Sequence, residues 1–206
     1  MRKCVLLCPG YSLDSHKVTP YLKTEDVYCV NRAYRAFGPW EWPKIRAVFT
    51  VDSLPRFHES VDRMVLCDKQ VRKIVNKGVR VKWRGVANVE YVPCCMDESE
   101  QYITTDPFDS PVYRGPPLST LFAFWYLVRA KYERIGIEGC DGRFRDNAQP
   151  YFFDLRPKDP DHKRLRYAQV IEYMRPWCLF AQKRKVQVVN LSPESRLAEF
   201  LETKEL

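Results

Sequence analysis

At 206 residues, with 45% hydrophobic and 14% aromatic content, the chain has enough apolar material for one core and is excluded from the disordered class. Its net charge of +8 is concentrated in Lys69–Arg84, where Lys69, Arg72, Lys73, Lys77, Arg80, Lys82 and Arg84 occur without an acid among them. Such a patch favours phosphate-rich partners, nucleic acid or nucleotide. The longest apolar runs, such as Leu121–Val128, are too short to span a bilayer.

Arg2 and Lys3 are followed by an apolar run that Pro9-Gly10 interrupts, so no signal-peptide core forms and a cytoplasmic protein is expected. The eight cysteines show no C-x-x-C spacing, and Cys94-Cys95 is adjacent. They read as free, mostly buried thiols in a reducing compartment, with no metal site.

In chain order, Lys3–Leu13 (K-C-V-L-L-C-P-G-Y-S-L) reads as a buried parallel-type strand ending in a glycine turn that a ligand can approach. Asp26–Val30 is a second strand ending at Asn31, Arg32–Phe37 a short helix closed by Gly38-Pro39, and Ala47–Val51 a third strand ending at Asp52. Leu54–Val61 reads as a helix start capped by Ser53. Arg63–Cys67 reads as a fourth strand and Lys69–Asn76 as a helix stopped by Gly78. Val79, Val81 and Trp83 alternate with Arg80, Lys82 and Arg84, the period of a strand with an outward basic face.

Residues 93–117, rich in proline, form a long irregular segment. Leu118–Lys131 is a strongly apolar helix and Arg134–Ile137 a strand running into Gly139-Cys140-Asp141. Gly142–Pro160 reads as a lid, Asp161–Lys183 as a long helix kinked at Pro176, Val186–Leu191 as the last strand and Glu194–Leu201 as a closing helix. Strands alternating with helices predict a single α/β domain over 1–206, a mostly parallel sheet with helices on both faces.

Ser12, Asn31, Asp52 and Asp141 fall at strand ends. Each alone is a common turn former, but the carboxyl edge of such a sheet is the usual binding crevice. Ser119 and Thr120 stand at a helix N-terminus, which either caps the helix or holds an anion. No G-x-x-x-x-G-K-[ST], G-x-G-x-x-G or G-x-S-x-G occurs, which argues against an ordinary ATPase, dinucleotide enzyme or serine hydrolase. His162, one of three histidines, opens the long helix. Position alone reads it as a surface residue, and its chemistry suits a general base.

The ordered set of motifs resembles the bacterial CMP-sialic-acid-dependent sialyltransferases and the related MptE-like proteins, which include archaeal pterin diphosphokinases and flagellin-glycosylation proteins. Cys8-Pro9-Gly10-Tyr11-Ser12-Leu13 is similar to the family's G-N-G-P-S-L loop, and Val27–Asn31 to its second strand with a nucleotide-contacting asparagine. Arg46–Asp52 resembles its "K-A-V-F" strand, Pro117–Thr120 its T-S-G helix start and Ile135–Asp141 its "I-x-L-x-G-x-D". Asn190–Leu197 resembles its C-terminal "L-x-P-x-S-x-L" segment. Pro9 stands where the family has asparagine, which removes one side-chain contact to the donor, and Tyr11 stands where it has proline.

The resemblance implies a Rossmann-like, GT-A-like domain and a metal-independent, inverting glycosyltransferase using a CMP-sugar-like donor. It assigns His162 as the base, Tyr151 and Arg143 as the groups that stabilise the leaving phosphate, and Gly10, Ser12, Asn31 and Ser119 as nucleotide-binding. Asp52, Thr120 and Asp141, by their place at the strand ends and helix start, are further nucleotide-binding candidates. No cofactor beyond the donor is implied. The acceptor hydroxyl belongs to a glycan or, through Arg72, Lys73, Lys77, Arg80, Lys82 and Arg84, to a hydroxylated base in DNA. Two alternatives stand beside it: an MptE-like diphosphokinase with magnesium–ATP on Asp52 and Asp141, and a non-catalytic nucleotide- or nucleic-acid-binding protein.

Overall fold

The computed structural model describes residues 2–13, 15–52, 60–96, 104–142 and 160–204. Its centre is a seven-stranded sheet in the order β5-β4-β3-β2-β1-β8-β9, formed by β1 (Lys3–Leu7), β2 (Asp26–Val30), β3 (Ala47–Thr50), β4 (Lys73–Asn76), β5 (Val89–Val92), β8 (Arg134–Glu138) and β9 (Gln187–Asn190). Every neighbouring pair is parallel. Two further strands, β6 (Cys94–Met96) and β7 (Tyr113–Gly115), pair in parallel with each other.

The central strands are apolar on both faces because the pleat sends alternate side chains to opposite layers. Val5 and Leu7 join one buried cluster with Val27, Val48, Val75, Tyr34, Val65, Leu66 and Trp83. Leu6 joins the other with Tyr28, Phe49, Ile74, Phe122, Trp125 and Trp177. The first layer is covered by the short helices α1 (Ser15–Val18), α2 (Tyr21–Thr24) and α3 (Ser60–Cys67), with 3-10 turns at Asn31–Ala36, Trp42–Lys44 and Lys77–Trp83. The second is covered by α4 (Ser119–Arg129) and α5 (Pro160–Lys183). Helix α4 is apolar nearly all round because it is sandwiched between the sheet and α5, and ring pairs such as Tyr113–Phe122 and Tyr113–Trp177 cross that layer edge to face.

Beyond β9, residues 202–204 return along its free edge. Asn190 N–H donates to Glu202 O at 3.0 Å and Lys204 N–H to Asn190 O at 3.0 Å, a parallel bridge centred on Thr203.

Several expectations need correction. The Arg63–Cys67 segment is part of helix α3, because Asp62 is drawn inward to Arg32 (2.7 Å) and Arg35 (2.8 Å) while Val65 and Leu66 face the core. Lys69–Asn76 is no helix but leads into β4, where Lys73 sits fully buried with its Nζ donating to Asp68 O and Val71 O, each at 2.6 Å. The alternation at 79–84 belongs to the Lys77–Trp83 3-10 turn, because Trp83 is pulled into the core. The 93–117 stretch contains β6 and β7, and the closing helix is reduced to a 3-10 turn at Arg196–Glu199. Ser53 and most of the Leu54–Val61 helix start, and 143–159 of the Gly142–Pro160 lid, lie outside the described residues, and Pro160 opens α5. Among the described residues no helix is long and apolar enough to cross a membrane.

Candidate functional site at the carboxyl edge

The strand order steps one way from β1 to β5 and the other way to β8 and β9. The reversal between β1 and β8 creates a crevice at their carboxyl ends, the usual ligand position in such sheets. Gly10 and Ser12 follow β1 there, and Asp141 follows β8. Gly10 N–H donates to Gly139 O at 2.8 Å, and Cys8 N–H to Glu138 O at 2.7 Å. A side chain on Gly10 would overlap the Gly139 carbonyl oxygen and the Asp141 carboxylate, so only glycine fits.

Asp141 is buried. Its Oδ2 accepts from Ser12 N–H at 3.0 Å, its Oδ1 accepts the Ser12 hydroxyl, and the Tyr11 N–H is a further donor. Burial pushes the carboxyl above the usual aspartate range, against the opposing pull of these donors.

The segment from Asn190 to Leu197 braces this loop from behind. Gly139 N–H donates to Ser192 Oγ at 2.9 Å, Arg196 N–H to Asp141 O at 3.0 Å, and Ser195 Oγ to Cys140 O. Sequence reasoning assigned these serines no role, since their partners are backbone groups far away in sequence. The same holds for Cys8, whose thiol lies 3.7 Å from Thr120 Oγ1.

Helix α4 starts over the ends of β3 and β1. Ser119 Oγ accepts Val51 N–H at 3.1 Å, and Thr120 meets Cys8. Because β2 lies between β3 and β1, the helix start stands over the end of β2, where Asn31 sits. No side chain caps α4, and the described residues give no acceptor to the N–H groups of Ser119, Thr120 and Leu121, which have no intrahelical partner either. Asn31 holds a left-handed backbone (φ 49°), which asparagine tolerates. Its Oδ1 is buried with no hydrogen-bond partner among the described residues. An orphaned acceptor and a helix start with unsatisfied N–H groups, both at this edge, are the pattern of a site that a polar ligand completes.

Asp52 also lies at this edge, anchored by its own N–H to Thr50 Oγ1 at 3.0 Å and by its carbonyl, which accepts Trp83 Nε1–H at 3.1 Å. His162 falls in the first turn of α5, with its side chain outside the described residues. Ile171, further along the same helix, packs where a Gly142 side chain would be. Arg143 and Tyr151 lie outside the described residues.

The basic stretch does not form one surface. Lys73 is buried, and Arg72, partly exposed, is paired with Glu90. Lys77, Arg80 and Arg84 are exposed and form no ion pair among the described residues, and the Lys82 side chain lies outside them. Among the described residues no cluster of histidine, cysteine or carboxylate side chains is arranged to hold a metal.

No family model matches the chain, and no curated protein matches it. Solved structures do. The sialyltransferase CstII from Campylobacter jejuni in complex with the substrate analogue CMP-3FNeuAc aligns with a TM-score of 0.56 at 15% identity, over 100% of this chain and 87% of that one. The same protein in complex with cytidine-5'-monophosphate aligns with a TM-score of 0.52 at 16% identity, over 100% and 86%. The chain has the mostly parallel, Rossmann-like α/β fold of these GT-A-like glycosyltransferases.

Proposed function

We propose that the protein is a metal-independent, inverting glycosyltransferase that moves a sugar from a CMP-sugar-like donor to a glycan hydroxyl. The observation that carries this reading is the convergence of the uncapped α4 start and the orphaned Asn31 Oδ1 over the ends of β3, β2 and β1. Free N–H groups at a helix start suit the donor's phosphate. A buried carbonyl acceptor suits a hydroxyl or amino group of the nucleoside. The acceptor oxygen bonds to the anomeric carbon as His162 takes its proton. CMP leaves with the electron pair of the broken bond, its growing charge stabilised by Tyr151 and Arg143.

CMP release from CMP-sialic acid in the presence of a chelator tests this. His162→Ala is expected to lose turnover while retaining CMP binding; turnover equal to the wild type would remove the assigned base. The diphosphokinase alternative is disfavoured because Asp141 is buried and its carboxylate is already turned to the Tyr11 and Ser12 donors.

A hydroxylated DNA base is a second acceptor reading, favoured by the exposed Lys77, Arg80 and Arg84 on a segment pinned to Asp52. Retention on a DNA column at near-physiological salt supports it, and elution well below that leaves a generic basic surface.

A further inference from the structure

The Gly10–Leu13 loop differs from a phosphate-cradling loop in one respect. Such loops aim their N–H groups at the ligand; here the N–H groups point inward. Gly10 donates to Gly139 O, Ser12 to Asp141 Oδ2, Leu13 to Gly10 O at 3.2 Å, and Tyr11 to the Asp141 carboxylate. The Ser12 hydroxyl goes to the same carboxylate. Asp141 is itself 2% exposed, so its charge is stabilised by these donors rather than by water.

We infer that Asp141 is a positioning residue for donor binding: it leaves the nucleotide untouched and fixes the Tyr11–Ser12 turn that forms one wall of the crevice, acting through Ser12. The inference deepens the proposed function and rests on it. Asp141 lies at the switch point between β1 and β8, where a shift of the turn would change the crevice mouth, and Gly10 leaves no slack because its Cβ position is filled.

The test is calorimetric titration of CMP into the wild type, Ser12→Ala, Asp141→Asn and the double variant. Asp141→Asn is expected to weaken CMP binding about tenfold or more, the scale of losing charge-assisted hydrogen bonds. The double variant should bind no more weakly than Asp141→Asn alone, because both changes act through one contact. The catalytic loss should fall on the donor KM more than on kcat. Additive effects, or CMP affinity unchanged in Asp141→Asn, would overturn the assignment.

Amide hydrogen exchange at Tyr11 and Ser12 without nucleotide is an independent readout. Protection is expected to fall in Asp141→Asn; unchanged protection sinks the positioning role whatever binds. Loss of protection in a protein whose wild type ignores CMP would sink the donor reading instead. Should Asp141→Asn fail to fold, Ser12→Ala still decides, with weaker CMP binding expected and unchanged binding contradicting the inference.

Discussion

Trp83 donates its indole N–H to the main-chain carbonyl of Asp52 at 3.1 Å, joining the segment after β4 to the end of β3. The ring is fully buried. Trp83→Phe keeps most of the packing and loses that bond, so a loss of about 0.5–1.5 kcal/mol is expected. Trp83→Ala adds a cavity and should lose about 3–5 kcal/mol. Urea melts of both variants measure the difference, and similar losses for the two would mean that packing contributes little.

Asp62 is completely buried and holds Arg32, Arg35 and the Tyr34 hydroxyl (2.8 Å) together. Removing one partner of a buried ion cluster leaves the others uncompensated. Asp62→Ala is expected to destabilise by about 3–5 kcal/mol, read as a lower denaturant midpoint at unchanged slope.

Asn31→Gly separates binding from folding. Glycine accepts the left-handed backbone at φ 49°, and the variant removes the orphaned Oδ1. Stability is expected to change by no more than about 1 kcal/mol, while CMP affinity falls severalfold by calorimetry. Unaltered affinity would take Asn31 out of the site.

Two carboxylates give opposite pH signatures. Burial disfavours the ionised Asp26, but hydrogen bonds from Tyr132 (2.7 Å) and Arg46 (2.6 Å), with the charge of Arg2, outweigh it and hold its pKa below the usual value. Its contribution is therefore present above the unfolded pKa of about 3.9 and lost as pH falls through the folded value. Asp141 is raised, chiefly by burial. Its contribution is full below the unfolded pKa and lost as pH rises through the folded one. Melting temperature against pH should show Asp26→Asn losing less stability than the wild type on acidification. Over the window above pH 4, Asp141→Asn should have the shallower decline.

The strands around β1 were legible because Val, Leu and Ile runs in a doubly covered parallel sheet carry no competing signal. Arg63–Cys67 and Lys69–Asn76 were not. In the first, a buried Asp62 is tolerated only through arginines that precede it by about thirty residues. In the second, the strand opens on a buried Lys73, whose ammonium donates to carbonyls that no periodicity reveals. The Val79–Arg84 alternation misled because the burial of Trp83, with its indole N–H on the Asp52 carbonyl, outranks a local pattern. At the site, the positions of Gly10, Ser12, Asn31 and Asp141 were legible. The direction of the loop's N–H groups was not, since that depends on which main-chain atoms β8 brings alongside β1.

Thr203 and its neighbours along β9 have a practical consequence. A parallel sheet that stops at an uncovered strand offers unpaired N–H and C=O groups to any other chain. A chain cut after Leu201 would bare the Asn190 main-chain groups that Glu202 and Lys204 now occupy. Such a protein should fold around the same crevice yet self-associate, its light scattering rising with concentration where the longer chain's stays flat. The last few residues would then serve as a guard on colloidal behaviour, separable from whatever happens in the crevice.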